Sequence, residues 1–210
     1  MPRRAYASKA RRAHIAAGLR CVLISSCVAA WAGCASFRPV EPANGPVSLG
    51  RTEGLLVLHV DTDIPLGSIA ISGATVARNL PVGVHTRLVA APAGSYRWDH
   101  IVPLDRGRGL RFMLPTFDDD WLFHVDAGRI NYPGLLVVRK GPPGLVVIRM
   151  GIYTTNRSGM MLRRFERAYP ALLEQFPMKY TGRGRDEFLE RFRAARDAHR
   201  AAQARTAGAP

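Results

Sequence analysis

Residues 53–62 read Glu-Gly-Leu-Leu-Val-Leu-His-Val-Asp-Thr, with an almost unbroken apolar run from Leu55 to Val60 that only His59 interrupts. A short apolar run bounded by turn formers predicts a strand. Comparable runs follow at Ile69–Ile71, Val84–Val89, Tyr96–Val102, Leu110–Leu114 and Trp121–Val125. Between them lie Pro65-Leu66-Gly67, Pro81-Val82-Gly83, Pro92-Ala93-Gly94 and Gly107-Arg108-Gly109. Strands every 8–12 residues or so, punctuated in this way, predict a sandwich or barrel. Gly141-Pro142-Pro143-Gly144 then separates Leu135–Val138 from Leu145–Ile148, which predicts a hairpin of two well-buried strands.

The C-terminal quarter changes period. Met161, Leu162, Phe165, Tyr169, Leu172, Leu173 and Phe176 share one helical face, with Ser158 placed as an N-cap. Pro170 must interrupt that helix or begin a second one. Gly182 to Gly184 breaks the chain again, and Asp186 to about Gln203 predicts a further helix with a narrow stripe through Phe188, Leu189, Phe192 and Ala195. In it, Glu187 and Arg191 have the spacing of an i,i+4 ion pair. These helices are expected to cover one face or edge of the sheet.

Upstream of Glu53 the chain has another character. Residues 35–52 hold Pro39, Pro42 and Pro46 among small residues without periodicity, and read as a flexible tether. Before them, Arg3, Arg4, Lys9, Arg11, Arg12 and Arg20 form a basic region with no acid, and Cys21 to Phe37 contains no Asp, Glu, Lys or Arg. A basic start, a short apolar stretch and small residues before a break make the pattern of a secretory signal peptide. The apolar part is short for a spanning helix of about 20 residues, which favours cleavage.

Trp31-Ala32-Gly33-Cys34 resembles a bacterial lipobox. The resemblance implies that Cys34 receives lipid on its sulfur and becomes the first residue of the mature chain, with fatty acyl chains such as palmitate holding it on a bilayer. The alternatives are ordinary cleavage after Ala30-Trp31-Ala32, which releases the protein, and an uncleaved anchor. Cys21 and Cys27 lie in the segment to be discarded, so the mature chain would keep no thiol for a disulfide, a nucleophile or a metal. In a Gram-negative cell, Ala35 rather than Asp after the lipidated cysteine implies the outer membrane, facing the periplasm, over the inner membrane.

The charge follows this division. The chain carries 30 Lys and Arg against 16 Asp and Glu, a net of +14, but without residues 1–33 the net is +8. That surplus suits an anionic surface such as lipid headgroups or polyanionic glycans. Export argues against nucleic acid as the partner.

Two phrases extend the resemblance. Pro92-Ala93-Gly94-Ser95-Tyr96 resembles the P-x-G-x-Y turn of carboxypeptidase-regulatory-like β-sandwiches. Val125 to Gly134, with Gly128, Tyr132 and Gly134 at V-x-x-G-x-x-x-Y-x-G spacing, is similar to a segment of uncharacterised bacterial lipoproteins that carry such sandwiches. The resemblance spans about residues 53–155. It implies turn geometry at Gly94 and Gly128, inward packing of Tyr96 and Tyr132, and no catalytic residue.

His-Val-Asp occurs twice, as His59-Val60-Asp61 and His124-Val125-Asp126. Each His and Asp share a strand face, so neighbouring strands would gather two imidazoles and two carboxylates into a metal site. The competing expectation is two solvated strand faces opposite core residues. Asp118-Asp119-Asp120 has no following Gly to fold a calcium loop and is expected to be an acidic turn before a strand. No G-x-S-x-G elbow, phosphate loop or dinucleotide fingerprint occurs in the chain.

From Arg157 onward, 12 basic residues face six acidic ones. Arg191, Arg193 and Arg196 are the candidates for binding an anionic surface, against the alternative of a solvated helix face.

The sequence thus predicts a mainly β protein, an antiparallel β-sandwich with a C-terminal α-helical cap. Its parts are a signal peptide at 1–33, a lipidated N-terminus and tether at 34–52, the sandwich at 53–157, a helical segment at 158–204 and a disordered tail at 205–210. The expected role is a non-catalytic interaction or structural module of the cell envelope, held by Cys34, with an envelope protein, anionic lipid or glycan as partner and no cofactor. The alternative is an exported metal-dependent enzyme or metal-binding protein using the His/Asp cluster.

Overall fold

The computed structural model describes residues 36–41, 46–104, 111–116, 118–141, 150–184 and 186–207. In chain order the strands are β1 (Arg38–Val40), β2 (Glu53–Thr62), β3 (Leu66–Ile71), β4 (Ala74–Leu80), β5 (Gly83–Pro92), β6 (Gly94–Pro103), β7 (Phe112–Met113), β8 (Leu122–Val125), β9 (Ile130–Tyr132), β10 (Leu135–Lys140) and β11 (Met150–Thr155). Helices α1 (Ser158–Ala168) and α2 (Pro170–Gln175), strand β12 (Met178–Tyr180) and helix α3 (Phe188–Ala207) complete the chain.

Two sheets form the sandwich. The larger runs β1-β5-β2-β10-β11, with β9 also pairing β2 and β12 pairing β9; the smaller runs β4-β3-β6-β7, with β8 also on β6. β2 is central and explains its own composition. Leu56, Leu58 and Val60 enter the core between the sheets with Ile69, Trp98 and Phe123. Leu55 and Val57 enter a second core with Ile130, Tyr132, Met161 and Phe165, beneath the helices. A strand covered on both faces loses the apolar-polar alternation. Each fully buried Leu or Val there contributes about 2 kcal/mol of transfer free energy. The molecule is a β-sandwich whose larger sheet carries the helical cap on its outer face.

The larger sheet is mixed. β10 and β9 lie parallel to β2, and β12 lies parallel to β9. Parallel neighbours need crossovers; here the smaller sheet lies between β2 and β9 in sequence, and α1 and α2 lie between β11 and β12. The hairpin expected from Gly141-Pro142-Pro143-Gly144 pairs β10 with β11, from Leu135↔Thr155 to Lys140↔Met150. Its expected return strand at 145–148 lies outside the described residues. Pro170 occupies the first turn of α2. Ser158 is the first residue of α1 rather than its cap; Asn156 Oδ1 accepts the Ser158 N–H at 2.9 Å.

The tether expected at 34–52 is corrected by β1, which pairs antiparallel with β5 from Arg38↔Ala90 to Val40↔Leu88. Pro39 is tolerated because β1 is an edge strand, where a missing N–H need not break a ladder. Phe37 packs on Tyr96 with ring centroids 5.5 Å apart. Val47 is buried, and its carbonyl accepts the Gln175 amide at 3.0 Å. β4 carries no legible period in the sequence, because its residues are small and polar. Its signal was Ser72-Gly73, a two-residue turn with φ of 46° and 82° that closes the β3–β4 hairpin. Positive φ at both positions defines a type I′ turn.

Candidate functional site

The two His-Val-Asp repeats do not meet. His59 and Asp61 lie on β2 of the larger sheet, whereas β8, which carries His124, pairs with β6 of the smaller sheet. His59 shares the β2 face of Leu55 and Val57, toward the helices and away from the smaller sheet. Among the described residues no group of three or more His, Cys, Asp or Glu could hold a metal. The cluster of His59, Asp61, His124 and Asp126 is therefore not assembled, and each carboxylate already has a cation. Arg139 grips Asp61 with two N–H···O contacts of 3.1 and 2.5 Å, and Lys179 reaches Asp126 at 2.6 Å.

The alternative of two solvated faces holds for His124, whose side chain is exposed. It fails for His59, which is 2% exposed. Its Nδ1 lies 3.1 Å from the hydroxyl of Tyr132, which is also buried. Burial lowers the His59 pKa to about 4, helped by the Arg164 guanidinium and opposed by Asp61, so the ring is neutral at pH 7. Burial likewise raises the pKa of Tyr132. This pair fills polar space under the cap.

One polar row has the composition of a hydrolase triad. Ser95 Oγ lies 3.3 Å from His124 Nδ1, and His124 Nε2 lies 3.5 Å from Asp126 Oδ1. Register accounts for it, because Ser95 and His124 are direct cross-strand partners. Within the row Asp126 is nearer to Lys179 than to His124, so its carboxylate is engaged by the cation first. Lys179's hydrogen bond is the largest influence holding the Asp126 carboxyl below its ordinary pKa.

This row borders the best-defined end of the sandwich, where the β2 start meets three turns. Ala93 N–H donates to Thr52 C=O at 2.7 Å, and Gly128 N–H donates to Glu53 C=O at 2.9 Å. Asn131, fully buried, ties the 126–130 turn together. Its Oδ1 accepts the Asp126 N–H at 2.9 Å, while Nδ2 faces the carbonyls of Leu55, Asp126 and Arg129 at 2.9–3.2 Å. Gly54 permits the approach, since a Cβ there would stand 2.2 Å from the Asp126 carbonyl oxygen. Gly128 has φ 65°, the left-handed turn geometry its motif implied. Tyr96 and Tyr132 are buried, and the Tyr96 hydroxyl donates to Pro92 C=O at 2.7 Å.

Comparison with family models, curated proteins and solved structures gives no match.

The cations of this end are Arg38, Arg51, Arg129 and Lys179, against Glu53 and Asp126. Arg38 pairs with Glu53 at 3.4 Å. Arg51 is exposed, and among the described residues its guanidinium makes no ion pair. Next to Lys179 a cleft of about 600 Å³ opens between β12 and α3, where Arg129 and Lys179 oppose Asp186 and Glu190.

The other expected binding residues lie on α3. Arg191 is ion-paired with Glu187 in the i,i+4 arrangement. Arg196 is 3.8 Å from Asp197 and lines a small hollow with Leu162, Leu173 and Phe192. The side chain of Arg193 lies outside the described residues, as does Cys34. Asp118 accepts the Asp120 N–H at 2.9 Å, which makes the acidic triplet a capped turn entering β8.

Proposed function

We propose that this chain is a lipid-anchored protein of the cell envelope, acylated at Cys34, which presents a non-catalytic interaction or structural module to the periplasm from the outer membrane. The basic N-terminal region, the uncharged stretch from Cys21 to Phe37 and the Ala32-Gly33-Cys34 junction support the reading. The supporting observation in the fold is the position of Phe37, three residues after Cys34 and already packed on Tyr96. Three peptide links span at most about 11 Å, so lipid on Cys34 would hold the sandwich directly at the bilayer. Among the described residues no helix is long and apolar enough to cross a membrane. The sandwich is proposed to be of the carboxypeptidase-regulatory-like kind found in bacterial lipoproteins.

Replacing Cys34 tests this reading. In cells fed a labelled fatty acid, the wild-type protein is expected to take up label and Cys34→Ser to take up none. Equal labelling of both, or of neither, would overturn the proposal.

A further inference from the structure

We infer that the end of the sandwich built from the turns at 50–53, 92–94 and 126–129 is a phospholipid-headgroup surface, with Arg51, Arg129 and Lys179 seated at the phosphate level of the bilayer that holds Cys34. The inference rests on the lipid-anchor reading and adds which face of the domain meets the membrane. Chain geometry is its first support. Phe37 is pinned to Tyr96, and Tyr96 to Pro92, so the anchor leaves the domain at this end. β2 runs from here to Thr62, opposite Gly83. Ten residues at about 3.3 Å each put the Val82 end roughly 30 Å further from the anchor.

Charge complementarity is the second support. Arg38, Arg51, Arg129 and Lys179 stand here; Glu53 pairs with Arg38 and Asp126 with Lys179, while Asp186 and Glu190 face Arg129 and Lys179 across the neighbouring cleft. Arg51 has no counter-ion among the described residues. Arg129 acts on Asp126, which Lys179 already binds. The far end instead exposes Val82 and Val84. A basic residue near an anionic membrane surface contributes about 1 kcal/mol, so Arg51 and Arg129 together would bias the seated orientation by about thirtyfold. The exposed Ser95 and His124 side chains add hydrogen-bonding groups beside the cations.

The test uses the mature protein purified from membranes, with a fluorophore at Ala127→Cys in the end turn or at Val82→Cys at the far end. Each is reconstituted into phosphatidylcholine vesicles with or without phosphatidylglycerol, doped with a headgroup-quenching lipid. Quenching at position 127, absent at 82 and strengthened by phosphatidylglycerol, is the expected result. Arg51→Gln with Arg129→Gln, at unchanged melting temperature, should lower the seated-to-lifted ratio by about thirtyfold. Equal quenching at both positions, or a double variant identical to wild type, would overturn the inference. So would retention by cell-wall sacculi with no response to phosphatidylglycerol. Intact mass of the same sample keeps the two claims apart. Acylated protein with neither position quenched sinks the surface and leaves the anchor. Unacylated protein that still binds phosphatidylglycerol vesicles through Arg51 and Arg129 sinks the anchor and leaves the surface.

Discussion

Phe37 and Tyr96 pack with ring centroids 5.5 Å apart at an interplanar angle of 59°. That contact helps hold a stretch of Pro and small residues as an ordered edge strand. Truncating Phe37 to Ala should cost about 2 kcal/mol, since the ring is only partly buried and a fully buried Phe costs more. Urea unfolding gives the loss. Hydrogen exchange at residues 38–40 should rise more than exchange in β2, and uniform change across both strands would refute a local role.

Asn131 is the polar keystone of the end of the sandwich where β2 begins. Asn131→Ala removes the acceptor of the Asp126 N–H and the donor to three carbonyls in one step. Buried groups left without partners cost about 1–3 kcal/mol each, so the loss should be about 3 kcal/mol or more. Asn131→Asp should be no better, because it keeps an acceptor for Asp126 but sets a carboxylate oxygen against carbonyl oxygens. A loss below that of an exposed polar substitution would contradict the assignment.

His59 gives a pH signature. The folded ring titrates near 4 and the unfolded ring near 6.5. Between those values the unfolded chain binds the extra proton, so stability falls as the pH drops from 6.5 toward 4 and is flat for this group above 6.5. The amount is about 3 kcal/mol. Denaturation midpoints from pH 7.5 to 4 should show that slope in the wild type and a flatter one in His59→Gln. Parallel profiles would mean that the ring protonates freely in the folded state.

Asp186 joins the two long helices. Burial pushes its pKa upward, but the bonds from Ser158 and Asn156 outweigh burial and leave it below the ordinary value. Its Oδ1 also accepts the Phe188 N–H at 2.9 Å, capping α3. Asp186→Ala should cost about 2 kcal/mol and raise hydrogen exchange along the first turns of α3 while α1 keeps its protection. An unchanged α3 would show that Leu189 and the helix–sheet contacts suffice.

The fold was legible where composition speaks plainly. The Leu55–Val60 run, the Pro-Gly turns and the Met161–Phe176 stripe lead to a sandwich with a helical cap. Pairing partners were not legible. Nothing local to His59 says that β2 has helices on one face and a second sheet on the other, so its polar side chain suggested a metal site or a solvated strand. The parallel neighbours of β2 come from parts of the chain more than 65 residues away in order, beyond the reach of periodicity. The charge surplus was visible as a number. That Arg51, Arg129 and Lys179 come to one end of the sandwich needed the turns to be placed in space.

Lipidation at Cys34 carries the functional account, and the intact mass of the N-terminal fragment from protein extracted out of membranes tests it most directly. The expected result is a fragment beginning at Cys34 with diacylglyceryl and acyl mass added. A fragment beginning at Gly33 without lipid would contradict it and make this a released exported protein.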